Sequence, residues 1–293
     1  MKRATLFLTA CLLAVPAAAQ GPITPRTRAD SSQRPDARPA RGESATGELN
    51  KTPPRIPVEE VISKFAAKEA EFREARNNYT YSQSILVQDF DPSGAAGGRY
   101  ERRSDVIFSP DGRRYEKASY EPPSSLKMFN MSPEDMKDIE NLQPFVLTTE
   151  DLPKYVLEYQ GQQQVDEITA YVFSVRPRIL EKGQRYFEGT IWVDETDLQI
   201  VKTYGKAVPD LRSKNGENLF PKFETIREQI DGKYWFPTYT KADDVLHFKA
   251  YDARIRMVVR YTNYKQFKSS SRIVSSTPID EKQVTPPPQK PPR

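Results

Sequence analysis

The sequence is poor in the residues on which most site chemistry depends. It has one cysteine, Cys11, and one histidine, His247, in 293 residues. A single cysteine excludes a disulfide framework and a Cys-ligated metal centre. A single histidine removes the His clusters that hold transition metals. His247 also lacks the nucleophile-elbow context of a Ser–His hydrolase. Neither a Walker loop nor a dinucleotide-binding loop occurs. Glycine is modest, at 13 residues, and no apolar run reaches the ~18 residues of a membrane-spanning helix. These absences exclude a multi-span membrane protein, point to no cofactor and no metal, and argue against an enzyme.

What is present begins with the anatomy of a secretory signal over residues 1–19. Lys2 and Arg3 form the positive start, Ala4 to Val15 the apolar stretch, and Ala17-Ala18-Ala19 a small-residue cleavage site. The expected destination is the periplasm. A rival reading takes Leu8-Thr9-Ala10-Cys11 as a lipobox, which would make the chain a membrane-anchored lipoprotein through Cys11. Cutting there leaves a shorter apolar stretch upstream than signals normally carry.

Residues 20–57 hold seven Pro and almost no large apolar side chain, and residues 276–293 hold six Pro. Such stretches cannot bury enough surface to offset chain entropy, so both are expected to be disordered. The part between them, 58–275, is expected to be one folded domain. It carries 32 basic and 34 acidic residues, so the pI near 8.9 comes from the signal and the tails. No basic footprint for nucleic acid lies in the folded part.

That domain opens with VEEVISKFAAKEAEFREAR. Val58, Val61, Ile62, Phe65, Phe72 and Ala75 recur near helical spacing, and Pro57 with Glu59-Glu60 suits a helix start. From Tyr79 onward the character is β. Segments such as YTYSQSILVQDF, EITAYVFSVRPR, YFEGTIWVDE, KYWFPTYTKA and ARIRMVVRYTNYKQF are rich in aromatic and β-branched residues. Asp111-Gly112, Asn215-Gly216 and Asp231-Gly232 are hairpin signals. Ile255, Met257, Val259 and Tyr261 fall on one face of their strand, with Arg254, Arg256, Arg260 and Thr262 on the other. Such alternation predicts antiparallel strands with one wet face. About ten strands in succession, without crossover helices, predict a meander curled into a barrel or half-barrel.

One interruption, SLKMFNMSPEDMKDIENLQPFVL, contains Met128, Met131 and Met136. Ser132-Pro133-Glu134-Asp135 fits a helix start, with Ser as N-cap and Pro at the first position. Methionine adapts to irregular apolar shapes. Two readings stay open: a helix plugging the barrel as core, or a cover over a greasy ligand. Any apolar side chains surplus to the core would line a cavity. The candidates are Ile85, Val87, Val106, Phe108, Tyr171, Phe173, Trp192, Trp235, Met257 and Val259, with Met128, Met131 and Met136 above them. The face of Trp192 is ambiguous, since Ile191 and Val193 are equally apolar. Asp194, Glu195 and Asp197 could ligate calcium, but DETD between strands reads as a polar turn.

The passages GTIWVDETDLQIVKTYGKA and FETIREQIDGKYWFPTYTKADD resemble strand–turn–strand segments of the outer-membrane lipoprotein-sorting (LolA-like) superfamily. With the signal, the amphipathic helix, the meander and the helical insertion, the resemblance covers roughly 58–268. It implies a mainly β fold, an unclosed half-barrel covered by helices. It further implies a periplasmic carrier of hydrophobic cargo, lipid or lipoprotein acyl chains, with an outer-membrane acceptor or envelope protein as partner. Related scaffolds also serve as envelope-stress sensors, so a protein-binding module on the same fold is the alternative. The resemblance implies no individual binding residues.

Overall fold

The computed structural model describes residues 47–91, 93–109, 113–213 and 216–266. The expected signal, the Cys11 lipobox, the Asp111-Gly112 turn, Asn215 and the 276–293 tail lie outside the described residues. So does the expected linker as far as residue 46.

Helix α1 spans Val58–Arg76, where the apolar stripe predicts it. Val61, Phe65, Ala66 and Phe72 are buried along one side, and Glu69 is buried with them. The strands are β1 (Tyr79–Phe90), β2 (Ala96–Phe108), β3 (Arg114–Tyr120), β4 (Tyr155–Val165), β5 (Ile168–Pro177) and β6 (Tyr186–Asp194). There follow β7 (Ile200–Val208), β8 (Leu211–Ser213), β9 (Gly216–Asn218), β10 (Phe223–Ile230), β11 (Tyr234–His247) and β12 (Asp252–Gln266). A second helix, α2, spans Pro133–Asn141.

Ten of the strands form one sheet in the order β3-β2-β1-β12-β11-β10-β7-β6-β5-β4. Its paired neighbours are antiparallel. The strands β8 and β9 form a separate small hairpin. The edges β3 and β4 do not pair, so the fold is mainly β and antiparallel, as the strand pattern predicts, and the sheet is unclosed, as the resemblance implies. The path differs from a simple meander in one respect. The chain starts in the middle, runs outward through β3, then crosses to the far edge β4 and returns until β12 pairs with β1. Residues 121–154 make that crossing and carry α2 and the methionine segment over one face of the sheet.

The alternation read along β12 holds. Ile255, Met257, Val259 and Tyr261 are buried, and Arg254, Arg256 and Arg260 are exposed. The covered face joins α1, α2 and the sheet in one apolar cluster that includes Phe65, Ile85, Phe145, Phe173, Phe187, Phe223 and Val259. Rings meet across it: Phe65 and Phe173 lie 5.7 Å apart, and Phe145 stacks on Phe187 at 4.3 Å. A buried ion pair clamps α1 to β10. The Arg227 guanidinium donates to the Glu69 carboxylate at 2.9 and 3.1 Å and to the Phe145 carbonyl, and Ile200 N–H adds a bond to Glu69 at 3.2 Å. Burial pushes the Glu69 carboxyl upward, against the pull of Arg227.

Asp231 and Gly232 both have positive φ, 54° and 68°. That is the geometry the Asp-Gly signal predicts for a tight hairpin. Residues 47–52, within the segment expected to be unfolded, lie along β4 instead. Asn50 and Gln162 exchange backbone hydrogen bonds of 2.8 and 2.7 Å, and Gly47 N–H donates to Gln164 at 2.9 Å. Gly161 has φ 143°, and a side chain there would collide with the Asn50 carbonyl. This strap occupies hydrogen-bonding groups that an edge strand otherwise leaves open. Among the described residues no helix is long and apolar enough to cross a membrane.

Candidate binding groove

The groove is built around one buried carboxylate. Asp89, near the end of β1, is fully buried and accepts the backbone N–H groups of Gly98, Lys127 at 2.6 Å and Met128 at 2.7 Å. It thereby pins the start of the crossing segment to the rim of the sheet. The Tyr251 hydroxyl, from the β11–β12 turn, donates to the Met128 carbonyl at 2.6 Å. Met128 and Met131 are held there only half-buried.

The next residues start α2 as their composition predicts. Ser132 caps the helix, accepting from Asp135 N–H at 3.1 Å, and Asp135 accepts in return from Ser132 N–H at 2.8 Å. This reciprocal pair satisfies two helix-terminal donors. The same groups tie α2 to β9, because Asn218 Nδ2 donates to Asp135 Oδ1 and to Ser132 Oγ, each at 2.9 Å. One turn further on, Asp138 faces the Arg185 guanidinium at 3.2 Å, and Arg185 also donates to Asn218. Burial pushes the Asp138 carboxyl up to about 7; Arg185 opposes the rise, and neighbouring Asp135 and Glu134 add to it. Burial also raises Asp135. The helix cover is therefore latched to the sheet rim by a polar cluster in which burial holds both carboxyls above their ordinary range.

Between this latch and the β11–β12 turn lies a cavity of about 510 Å³. Val87, Ile255 and Met257 line it from the strands, Met128, Phe129 and Met131 from the crossing segment, and Leu219, Phe220, Leu246, Phe248 and Tyr251 from the rim. Asp135, Asn218, Glu217 and Lys127 add polar groups to its lining.

The sequence-predicted candidates divide into four sets. Val87, Met128, Met131 and Met257 line the groove. Ile85, Tyr171, Phe173 and Val259 are buried in the main cluster, with Met136 packed against it and taking the Tyr100 hydroxyl at 3.8 Å. Val106 and Phe108 are buried on β2, the latter beneath the Arg76 guanidinium at 5.5 Å. Trp192 and Trp235 stand together on the other face of the sheet with Val165, Val172 and Val201. Parity decides this, because Ile191 and Val193 take the covered face and Trp192 falls between them. The indole N–H groups donate to Gln163 at 2.8 Å and Asp197 at 3.2 Å. Phe129, Leu219, Phe220, Leu246, Phe248 and Tyr251 escape sequence reasoning. Most stand in connections, where no periodicity marks an inward side chain.

Asp194 accepts the N–H groups of Thr196 at 2.6 Å and Asp197 at 3.3 Å, which is the work of a turn carboxylate. His247 is exposed, and its Nδ1 lies 2.9 Å from Asp252 across the β11–β12 turn.

No protein-family model matches this chain, and no curated protein matches it. Among solved structures the chain is similar to a DUF1329 family protein from Desulfovibrio piger. Identity is 16%, coverage 72% of this chain and 93% of that one, and the TM-score 0.38. It is similar to a LolA superfamily protein from Nitrosomonas europaea at 13% identity, covering 73% and 95%, with a TM-score of 0.33. It is also similar to the MucA/MucB complex structure from Pseudomonas aeruginosa at 11% identity, covering 71% and 99%, with a TM-score of 0.22.

Proposed function

We propose that this chain is an exported periplasmic carrier, not an enzyme, that binds a hydrophobic cargo, lipid or lipoprotein acyl chains, in the rim groove. The observation that carries the reading is the groove itself. Its volume of about 510 Å³ lies within the roughly 300–1,000 Å³ of small-molecule sites. Its walls set apolar side chains beside a few polar groups, and two of them, the methionine segment and the β11–β12 turn, are connections rather than strands. Burying one acyl chain there contributes about 0.8 kcal/mol per CH₂, or of order 10 kcal/mol gross, before immobilisation is subtracted. The lining that this reading uses is Val87, Met128, Met131 and Met257 with Phe129, Leu219 and Phe248. Release to an outer-membrane acceptor would require the α2 latch to open.

A second reading, an envelope interaction or stress-sensor module that binds a protein, has one observation in its favour. The covered face beneath α1 is filled by the protein's own rings. Native mass spectrometry of the chain purified from bacterial periplasm without detergent, followed by lipid extraction, separates the two. Co-purifying lipid that is lost on Met131→Asp supports the carrier. A clean apo mass, with no uptake of added fatty acid or lipopeptide, overturns it and favours the protein-binding module.

A further inference from the structure

The antiparallel register places several chain reversals at one rim of the sheet. The β5–β6 turn lies there, since Tyr155 pairs with Pro177 and Tyr186 with Val208. So do the β7–β10 connection and the β11–β12 turn, with Phe223 opposite Gly205 and His247 opposite Asp252. The groove opens among the last two.

Two of these reversals carry large apolar side chains in water. Ile179 is 72% exposed and Leu180 is 51% exposed at the tip of the β5–β6 turn. In the β11–β12 turn Tyr251 is 41% exposed, and its ring stacks on Phe248 at 4.9 Å. At the inter-strand spacing of about 4.8 Å, the two turns stand roughly 20 Å apart along the rim.

At the tip of the β5–β6 turn the cations Arg178 and Lys182 outnumber the one carboxylate, Glu181. Of the carboxylates along the rim, Asp210 pairs with Lys206 at 2.8 Å, Glu181 accepts the Tyr186 hydroxyl at 2.7 Å, Asp244 accepts Lys222 N–H at 2.9 Å, and Asp252 faces His247. Glu217 is taken by Arg212 and by Lys249 N–H. Among the described residues, no ion pair reaches the side chains of exposed Arg178, Lys182 or Lys222.

We propose that this rim docks on an anionic lipid bilayer, with Ile179 and Leu180 inserted among the acyl chains and Arg178, Lys182 and Lys222 against the headgroups. The apolar groups sit at separate turn tips, alternating with free cations. A protein interface needs a contiguous patch of about 800 Å² per partner. A bilayer is a soft plane that accepts isolated apolar tips and draws cations to its surface. The half-exposed ring of Tyr251, stacked on Phe248, adds a second apolar tip to the rim. The proposal deepens the carrier reading and rests on it for its purpose: the groove mouth would face the membrane from which cargo is taken or to which it is given.

The test is co-sedimentation of the full-length chain with vesicles of phosphatidylcholine alone and of phosphatidylcholine with phosphatidylglycerol. Binding to the anionic vesicles is expected, falling by roughly tenfold or more in I179D/L180D. R178Q/K182Q should weaken binding and flatten its salt dependence. Both pairs are exposed, and an unchanged circular dichroism spectrum confirms folding. Unchanged vesicle binding in I179D/L180D overturns the proposal and assigns any attraction to other basic segments. Absence of binding to either vesicle, or binding only when an envelope protein is added to the membrane, also overturns it. Uptake of a fluorescent fatty acid without vesicles is read in parallel. Uptake retained while vesicle binding fails removes the docking rim alone; uptake lost while vesicle binding persists removes the carrier reading and leaves the docking rim standing.

Discussion

Beneath α1 the covered face of the sheet is occupied by Phe65, Phe145, Phe173, Phe187 and Phe223, locked by a buried Glu69–Arg227 pair. Toward the rim, the same face of β1 and β12 carries Val87, Ile255 and Met257 beneath a cavity of about 510 Å³. The strands alternate in the same way in both places. The difference lies in what covers them. The 19-residue α1 sinks Phe65 and Phe72 toward the sheet. The methionine segment is hung from backbone hydrogen bonds to Asp89 and latched through Asp135, Asp138, Asn218 and Arg185, so it spans the face without filling it. An apolar cover seals; a polar latch leaves room and can be undone.

The sharpest way to break the sealed half is Arg227→Met. It leaves Glu69 buried and unpaired, at an expected cost of about 3–5 kcal/mol in urea unfolding. Adding Glu69→Leu should recover most of that loss, because it is the orphaned charge rather than the missing pair that destabilises. Phe173→Ala is expected to cost about 3–5 kcal/mol by leaving a cavity among packed rings. The groove should respond in the opposite sense. Met131→Asp, at a half-buried position, is expected to change stability by no more than about 1 kcal/mol while abolishing fatty-acid uptake. Equal losses of stability in the two halves would erase the distinction.

The latch adds a pH dependence that the sealed half can be tested against. Asp138 is raised to about 7 in the folded protein, above its ordinary 3.8. Its protonated form is therefore favoured by folding. The resulting stability is full below about pH 4 and is lost as pH rises through 7. Urea midpoints of the parent should fall relative to Asp138→Asn between about pH 4 and pH 7. Parallel pH profiles would show that Asp138 titrates normally. The smallest effect is expected at Trp192→Phe. It removes the bond to Gln163 on the other face, costing about 1 kcal/mol and leaving uptake intact. Lost uptake there would mean that the outer face takes part in binding.

Much of the fold is legible in the residues. Val61, Phe65 and Phe72 mark the buried stripe of α1, Ser132-Pro133 marks the start of α2, and Ile255 to Tyr261 alternate as β12 does in the structure. Local rules suffice there because each signal concerns neighbours within a turn or a pleat. The candidate groove is legible in part. Met128, Met131, Val87 and Met257 can be picked from composition and alternation. Trp192 cannot be assigned, since a strand with three successive apolar residues leaves its register open until its partners are known. Phe248 and Tyr251 carry no periodic signal, and their inward side is set by Asp252 pairing with His247.

The sequence by itself determined the α1 stripe and antiparallel strands with one apolar face, because helical and pleated periods are properties of neighbouring residues. Only the tertiary structure decided that β12 joins β1, that the crossing segment spans the covered face, and that the hollow lies at the rim. Those outcomes depend on contacts between residues more than a hundred positions apart, such as Asn50 with Gln162 and Arg227 with Glu69. No local pattern encodes such pairings; they follow from which surfaces can be buried together.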